Sequence, residues 1–322
     1  MRLTRRRAIL GTAAVLAARQ GHAQPARPRA IGWISTEVQP DPFIAGFREG
    51  MRALGYVEGQ NLSLQMRYAT GDFGKLQAAI AELKALPVAF IVSSCPAIQA
   101  IKTHRDVQVL FAISGDPVEL GVAQTLARPG GNFTGSTFLS LEIAAKRVEL
   151  LREALPDLRR LAVLSNTQHP GEQSEWNATR RAAEMLGIET AYVPFAGPAA
   201  FDGALASVRA ARSDAMITFP DGITFVNRQK IAAFAEANAL PSMFGWSEHC
   251  DAGGLMSYGA NQRETYVRLA AYADRMLRGE RAGDLPIQQP TKFELVMNVG
   301  TAKRLGVNIP PPMWTRADRL VD

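Results

Sequence analysis

Short apolar runs of strand type alternate with helical patterns from residue 30 to the end of the chain. The run AIGWIS (30–35) has the composition of a buried strand, and the next segment places Phe43, Phe47 and Met51 on one face at helical spacing. Strands that alternate with helices of about ten to fifteen residues are typical of parallel sheets covered by helices on both faces. The alternation therefore predicts an α/β protein.

The number of strands predicts two Rossmann-like lobes, because about ten strands are too many for one compact sheet of this length. The pattern pauses at 130–140. We assign residues 30–138 plus about 247–280 to an N-terminal lobe, and residues 139–246 plus about 281–322 to a C-terminal lobe. The helices predicted from the pattern are 41–55, 73–85, 96–103, 117–127, 140–154, 172–186, 199–211, 223–239, 262–279 and a terminal helix.

The first 23 residues have the layout of an export signal. They contain five arginines and no acid, then an apolar run over 8–18, then small residues that predict cleavage after Ala23 and a linker at 24–29. The apolar run is shorter than the roughly 20 residues that span a bilayer, so no membrane insertion of the mature chain is expected. The paired arginines resemble a twin-arginine signal, with an ordinary secretory signal as the alternative. Either route predicts a periplasmic protein.

The net charge and the lack of known catalytic motifs reduce the number of functions to consider. The chain carries a net charge of +6, and without residues 1–23 it has 31 basic and 30 acidic residues, so no attraction to nucleic acid is expected. Cys95 and Cys250 are too few for a disulfide framework; two buried thiols are favoured over a single bridge. The sequence has no phosphate loop, dinucleotide fingerprint or nucleophile elbow, and no metal ligand set, so neither cofactor nor metal is predicted.

Ligands of open parallel sheets bind beyond the carboxyl ends of the strands. The loops there are rich in hydroxyl groups, glycine, Asp and Asn, which suit a carboxylate or an ammonium group. Each has a simpler interpretation, since Asp116 and Asp221 can be helix caps and Phe43 can be core. The candidate ligand-binding residues are Ser35, Phe43, Ser93, Ser94, Gly115, Asp116, Thr134, Asn166, Asp221, Phe244, Gly245 and Tyr258, with Trp246 as a further apolar wall.

Several long segments in order give the chain a family resemblance. DPFIAGFREGMRALGYVEGQNLSLQMRYATGD, ISGDPVELGVAQTLARPGGNFTGSTFLS, GGLMSYGAN and DLPIQQPTKFELVMNVGTAKRLGVNIPP together resemble the ABC-type solute-binding proteins of the tryptophan/tyrosine type. The resemblance implies a type I periplasmic-binding-protein fold with a hinge and an interlobe cleft. It also implies delivery of a small solute to an inner-membrane permease with its ATPase. The positions that match head-group roles are Ser35, Ser94, Asp116, Thr134, Asn166 and Asp221, whereas Cys95-Pro96 departs from the expected turn.

Three functions are therefore considered. The first is a receptor that captures an amino acid or related carboxylate for an ABC importer. The second is the same fold as a ligand sensor that docks to a receptor or kinase. The third is an exported α/β enzyme using His104, Asp116 or Cys95, although no nucleophile and base stand in a recognisable pair.

Overall fold

The structure is a computed structural model that describes residues 28–36, 41, 43–69, 73–93 and 97–322. The predicted export signal, most of the linker, and the candidate residues Ser94 and Cys95 lie outside these residues. Within them, none of the helices combines the length and the apolar character needed to cross a bilayer.

The first lobe is built on a parallel five-stranded sheet of order β2-β1-β3-β4-β5. The strands are almost wholly buried except β2, which forms the edge, and helices cover the sheet. Its elements are β1 Arg29–Ser35, α1 Ile44–Ala53, β2 Leu62–Tyr68, α2 Phe73–Ala85, β3 Ile91–Ser93, α3 Ile98–Ile101, β4 Val109–Ile113 and β5 Phe133–Thr137.

The second lobe is built on a seven-stranded sheet of order β12-β11-β10-β9-β8-β6-β7, in which β10 and β11 are antiparallel and the other pairs are parallel. The remaining elements in chain order are α4 Ala144–Ala154, β6 Arg160–Asn166, α5 Glu172–Met185, β7 Glu189–Phe195, α6 Phe201–Ala210, β8 Ala215–Thr218, α7 Gly222–Val226, α8 Arg228–Ala237, β9 Ser242–Phe244, α9 Glu248–Asp251, β10 Met256–Gly259, α10 Gln262–Leu277, β11 Glu294–Asn298, α11 Val299–Arg304, α12 Pro311–Arg316 and β12 Arg319–Val321.

The last quarter of the chain divides between the lobes differently from the prediction. Within 247–280, β10 pairs with β9 and β11 in the second sheet, and only α10 packs on α1 of the first lobe. The packing is close, since a Cβ on Gly50 would lie 2.3 Å from the carbonyl oxygen of Val267. Residues 285–288 return to the first lobe, where Gln288 N donates to Gly135 O over 2.8 Å. Hydrophobic pattern alone does not reveal which sheet a buried strand joins.

Two predicted helices differ locally. Residues 117–121 form turns and 122–127 are irregular: Asp116 Oδ1 accepts from the backbone N–H groups of Val118 (2.6 Å) and Glu119 (3.3 Å), but Gly121 at φ +71° ends the capped segment after one turn. The predicted capping by Asp116 is thus present, but without the helix. The helix predicted over 223–239 is divided at Asn227 into α7 and α8.

Candidate functional site

The two lobes meet at the carboxyl ends of their parallel strands. Ser114, directly after β4 of the first lobe, has its Oγ 2.5 Å from Nε2 of His169 and 3.3 Å from the carbonyl oxygen of Pro220. His169 and Pro220 follow β6 and β8 of the second lobe. The loops predicted to carry the site therefore face one another across a closed interlobe cleft.

Gly115 allows the backbones of the two lobes to approach each other closely. A Cβ at this position would lie 2.8 Å from the carbonyl oxygen of Pro170, and Gly171 opposite it has φ +89°. Any larger residue at Gly115 would push the backbones apart. Its predicted place at the cleft is where the structure puts it, and its contact with a ligand stays a prediction.

Asn166 and Asp221, both predicted, are brought together by the second sheet. They end β6 and follow β8, both are buried, and Asn166 Nδ2 donates to Asp221 Oδ2 over 3.1 Å. Asp221 Oδ1 caps α7 by accepting from the N–H groups of Ile223 (2.9 Å) and Thr224 (3.4 Å). The cap fixes the carboxylate, and the preceding residue, Pro220, is the one that contacts Ser114 of the first lobe.

Five aromatic side chains from both lobes form a cluster beside this polar pair: Phe43, Phe138, Phe225, Trp246 and Tyr266. All are buried. Phe43 stacks on Tyr266 at 5.4 Å between ring centroids, and Trp246 lies edge-on to Phe43 (5.8 Å) and to Phe138 (5.5 Å). This aromatic cluster is part of a hydrophobic core that spans the lobe boundary, and its contact with a ligand stays a prediction.

The chain before α1 aims Phe43 into the aromatic cluster. Asp41 accepts two hydrogen bonds, from Phe43 N over 2.8 Å at Oδ1 and from Trp33 Nε1 over 2.9 Å at Oδ2. The predicted helix therefore starts three residues late, at Ile44, and Asp41 serves as the turn residue that orders its entry.

Four candidates have other contacts in the structure. Phe244 is fully buried in the second lobe, where its ring stacks on His249 at 4.5 Å, and Tyr258 packs near Phe293 at 6.0 Å. Thr134 Oγ1 donates to Leu285 O over 2.8 Å, near the amino end of β5 and away from the cleft edge. Gly245 has no free space beside it, since a Cβ would lie 2.2 Å from Pro220 Cγ.

Ser35 and Ser93 end β1 and β3 and are fully buried. Asp116 is half-buried and caps the turn after β4. These three residues lie at the carboxyl edge of the first sheet, as predicted, and their contact with a ligand stays a prediction, as does that of Ser94.

A buried ion pair is the main feature that sequence reasoning missed. Arg147 on α4 and Glu175 on α5 are each at most 1% exposed, with Nη1 and Oε2 separated by 3.8 Å. Burial lowers the pKa of Arg147 to about 10. Burial also raises the pKa of Glu175 to about 7, although the nearby His169 and Arg147 act in the opposite direction and lower it. Both carboxylate oxygens of Glu175 are buried and accept no hydrogen bond from the described residues.

Replacing Glu175 with glutamine is expected to change how stability depends on pH. Because the folded chain raises the pKa of Glu175 from 4.5 to about 7, it binds that proton more tightly than the unfolded chain. The wild type therefore gains stability below pH 4.5 and loses it as the pH rises to 7, by a difference on the order of 3 kcal/mol. Melting temperatures measured from pH 4.5 to 8 should rise in Glu175→Gln relative to wild type as the pH increases.

The control for this pH series is Glu189→Gln, which removes an exposed acid paired with Arg160 in the same lobe. Its melting temperature should follow that of the wild type at every pH. A constant offset between Glu175→Gln and wild type over the whole range would contradict the raised pKa.

Of the residues considered for enzymatic chemistry, Cys95 lies outside the described residues, and His104 and Asp116 have separate partners. His104 contacts Lys84 Nζ (3.3 Å) and Gln77 Oε1 (3.4 Å) on α2, whereas Asp116 caps a turn at the cleft. Cys250 is a free buried thiol whose pKa is raised to about 12 by burial. Among the described residues no group of three or more His, Cys, Asp and Glu side chains is arranged to hold a metal ion.

Two α/β lobes joined through a hinge, with facing carboxyl edges, define a protein of the type I periplasmic-binding-protein fold. The family described as ABC transporter substrate binding protein matches residues 39–321. The chain belongs to this family.

Individual relatives agree with that assignment. The chain is 22% identical over 263 residues to a tyrosine-binding protein of Clostridioides difficile (strain R20291), which covers 81% of this chain and 75% of the relative. A Streptococcus pneumonia ABC domain in complex with L-Trp superimposes with a TM-score of 0.83 at 20% identity, covering 91% of this chain and 100% of the other. The ligand-free, open structure of a Clostridium difficile substrate binding protein with adhesive properties superimposes with a TM-score of 0.62 at 20% identity, covering 91% of this chain and 99% of the other.

Proposed function

We propose that the protein is a periplasmic receptor that captures an amino acid or a related small carboxylate between its lobes and delivers it to an inner-membrane ABC permease with its ATPase. The observation that carries the proposal is the placement of Asp221 and Asn166 beside the aromatic cluster at the closed cleft. A carboxylate next to an apolar wall suits a ligand with an ammonium group and an apolar side chain. The names of the relatives, for tyrosine binding and for a complex with L-Trp, favour an aromatic amino acid.

Each side of the cleft has a distinct role in this proposal. Asp221 Oδ2 pairs with the ammonium group of the ligand, and Asn166 holds that carboxylate in place. Ser35 and Ser93, with the loop at Ser94, receive the ligand carboxylate at the first lobe. The edges of Phe43 and Trp246 face the ligand side chain.

Capture in this proposal depends on closure of the two lobes around the ligand. Ligand that contacts both lobes binds the closed arrangement more tightly than the open one, and so shifts the population toward it. Contacts such as that of Ser114 with His169 add to the closed arrangement. The permease then recognises the closed form, which couples capture to delivery.

Stability measurements with candidate ligands test this function. The protein, stripped of solute by mild unfolding and refolding, is expected to melt at a higher temperature with L-tryptophan or L-tyrosine. A ligand at 100 times its Kd adds about 2.7 kcal/mol of stability. Tyramine lacks the carboxylate and 3-phenylpropionate lacks the ammonium group, so both should give much smaller shifts. Recovery of the ligand unchanged supports a receptor; absence of a shift with every amino acid and carboxylate, or conversion of the ligand, contradicts the proposal.

A further inference from the structure

Arg147 lies where the chain passes between the lobes. Within the described residues the chain crosses three times: at 138–143 before α4, at 260–261 between β10 and α10, and at 289–293 before β11. Arg147 sits in the first turn of α4, directly after the first crossing.

The guanidinium of Arg147 contacts the first of these crossings and the strand β10 that leads into the second. Its Nε donates to the carbonyl oxygen of Tyr258 over 2.8 Å, at the end of β10 where the second crossing begins. Its Nη1 lies 3.5 Å from the carbonyl oxygen of Ser140 in the first crossing. A Cβ on Gly259 would lie 3.6 Å from Nη2, so the side chain packs on the end of β10 directly before the second crossing. One rigid, planar group thus contacts the first crossing and the residues that lead into the second.

Glu175 connects this group to the cleft. It faces Arg147 from α5, and the other charged or titratable groups around it are His169, Glu172 and Glu142. His169 in turn contacts Ser114 of the opposite lobe. Glu175 is thus under the electrostatic influence both of Arg147, which contacts the first crossing, and of His169, which contacts the first lobe.

We propose that Arg147 is a positioning residue that sets the relative orientation of the two lobes, with Glu175 as its buried counter-charge. The proposal does not depend on the identity of the ligand. It rests on the proposed function in one respect, namely that the two lobes close when the protein works. A buried ion pair is costly to desolvate, and replacing both members with apolar residues is often neutral or stabilising for the fold. Joint removal of the two charges should therefore not destabilise the second lobe, and the effect argued for the pair is on lobe position.

The test removes both charges together, as Arg147→Met with Glu175→Leu. The distance between the lobes is measured without ligand by pulsed electron resonance, with spin labels at Ala81→Cys on α2 and Met185→Cys on α5, both exposed. Cys95→Ser is included in every protein, whereas buried Cys250 is retained. We expect a melting temperature close to that of the labelled wild type, and a distance distribution that is broader or displaced by several ångströms.

The matched control is Lys146→Met with Glu149→Leu, which removes an exposed ion pair of 3.0 Å on the same helix. Its distance distribution should equal that of the wild type. Arg147→Lys keeps the charge without the planar group, should fold, and is expected to give an intermediate distribution, which keeps the proposal testable if the double variant does not fold. Wild-type distributions in both the double variant and Arg147→Lys overturn the proposal. Because no ligand is added, the result is separate from failure of the proposed amino-acid binding.

Discussion

Replacing Asp221 with asparagine is expected to weaken the binding of L-tryptophan or L-tyrosine by about 30- to 1000-fold, while the protein stays folded. Removing one member of a buried charge pair costs about 2 to 4 kcal/mol, which corresponds to that change in Kd. Asparagine caps helices as well as aspartate does, so the bonds from Ile223 and Thr224 to Oδ1 can be kept. The amide nitrogen that replaces Oδ2 cannot accept from Asn166 Nδ2, so the ligand-free variant should melt at a somewhat lower temperature, and its Kd is measured by calorimetry well below that temperature.

Asp116→Asn is the matched comparison, because Asp116 is the other cleft carboxylate predicted from the sequence. It is half-buried and its Oδ1 is committed to the N–H groups of Val118 and Glu119. We expect a change of less than about threefold in Kd, since asparagine retains those bonds. If Asp116→Asn loses the affinity and Asp221→Asn does not, the ammonium group binds at the first lobe and the assignment is wrong.

The pairing of Asn166 with Asp221 could be expected from the sequence for a general reason. Parallel strands place their carboxyl ends at one edge of a sheet, so polar residues that follow separate strands are gathered there. To apply this rule it is enough to know where the strands are, without knowing their order in the sheet. The apolar runs identify the strands, because a parallel sheet is buried on both faces. The same rule predicts that Gly115 and Asp116, which follow β4, lie at the cleft.

Arg147 and Glu175 show what local pattern cannot predict. Lys146 and Arg147 are neighbours on α4, yet Lys146 is exposed and Arg147 is buried. A charged residue in an amphipathic helix is normally taken as surface, and only the packing of α4 against α5 and β9 shows otherwise. The lobe assignment of β10 failed for a similar reason, because its partners come from distant parts of the sequence.

Phe244 and Trp246 show that the sequence pattern does not predict where each single side chain points. The sequence predicts both as candidate apolar walls, because they are two positions apart and a continuing strand would place them on the same face. The strand ends at Phe244 and the chain turns at Gly245. Phe244 therefore stays in the core of the second lobe, and Trp246 reaches the aromatic cluster at the lobe boundary.

Replacing Trp246 with alanine is expected to produce the largest loss of stability. Its indole is buried and contacts Phe43 and Phe138 of the first lobe together with Phe225 of the second, at centroid distances of 5.8, 5.5 and 5.6 Å. Truncating a buried aromatic residue costs about 3 to 5 kcal/mol, because apolar contact is lost and a cavity is left. For a chain of this size the melting temperature should fall on the order of 10 °C.

The position of Trp246 predicts more than a loss of stability, because its neighbours belong to different lobes. If the aromatic cluster couples the lobes, calorimetry should show one cooperative transition in the wild type and two separated transitions in Trp246→Ala. Trp176→Ala is the control, since Trp176 stacks on Tyr192 at 4.6 Å within the second lobe alone and is half-buried. That variant should lose less stability and melt in a single transition. A single transition in Trp246→Ala, with a melting temperature equal to that of Trp176→Ala, would show that the lobes are coupled elsewhere, through the hinge crossings and the contact of Ser114 with His169.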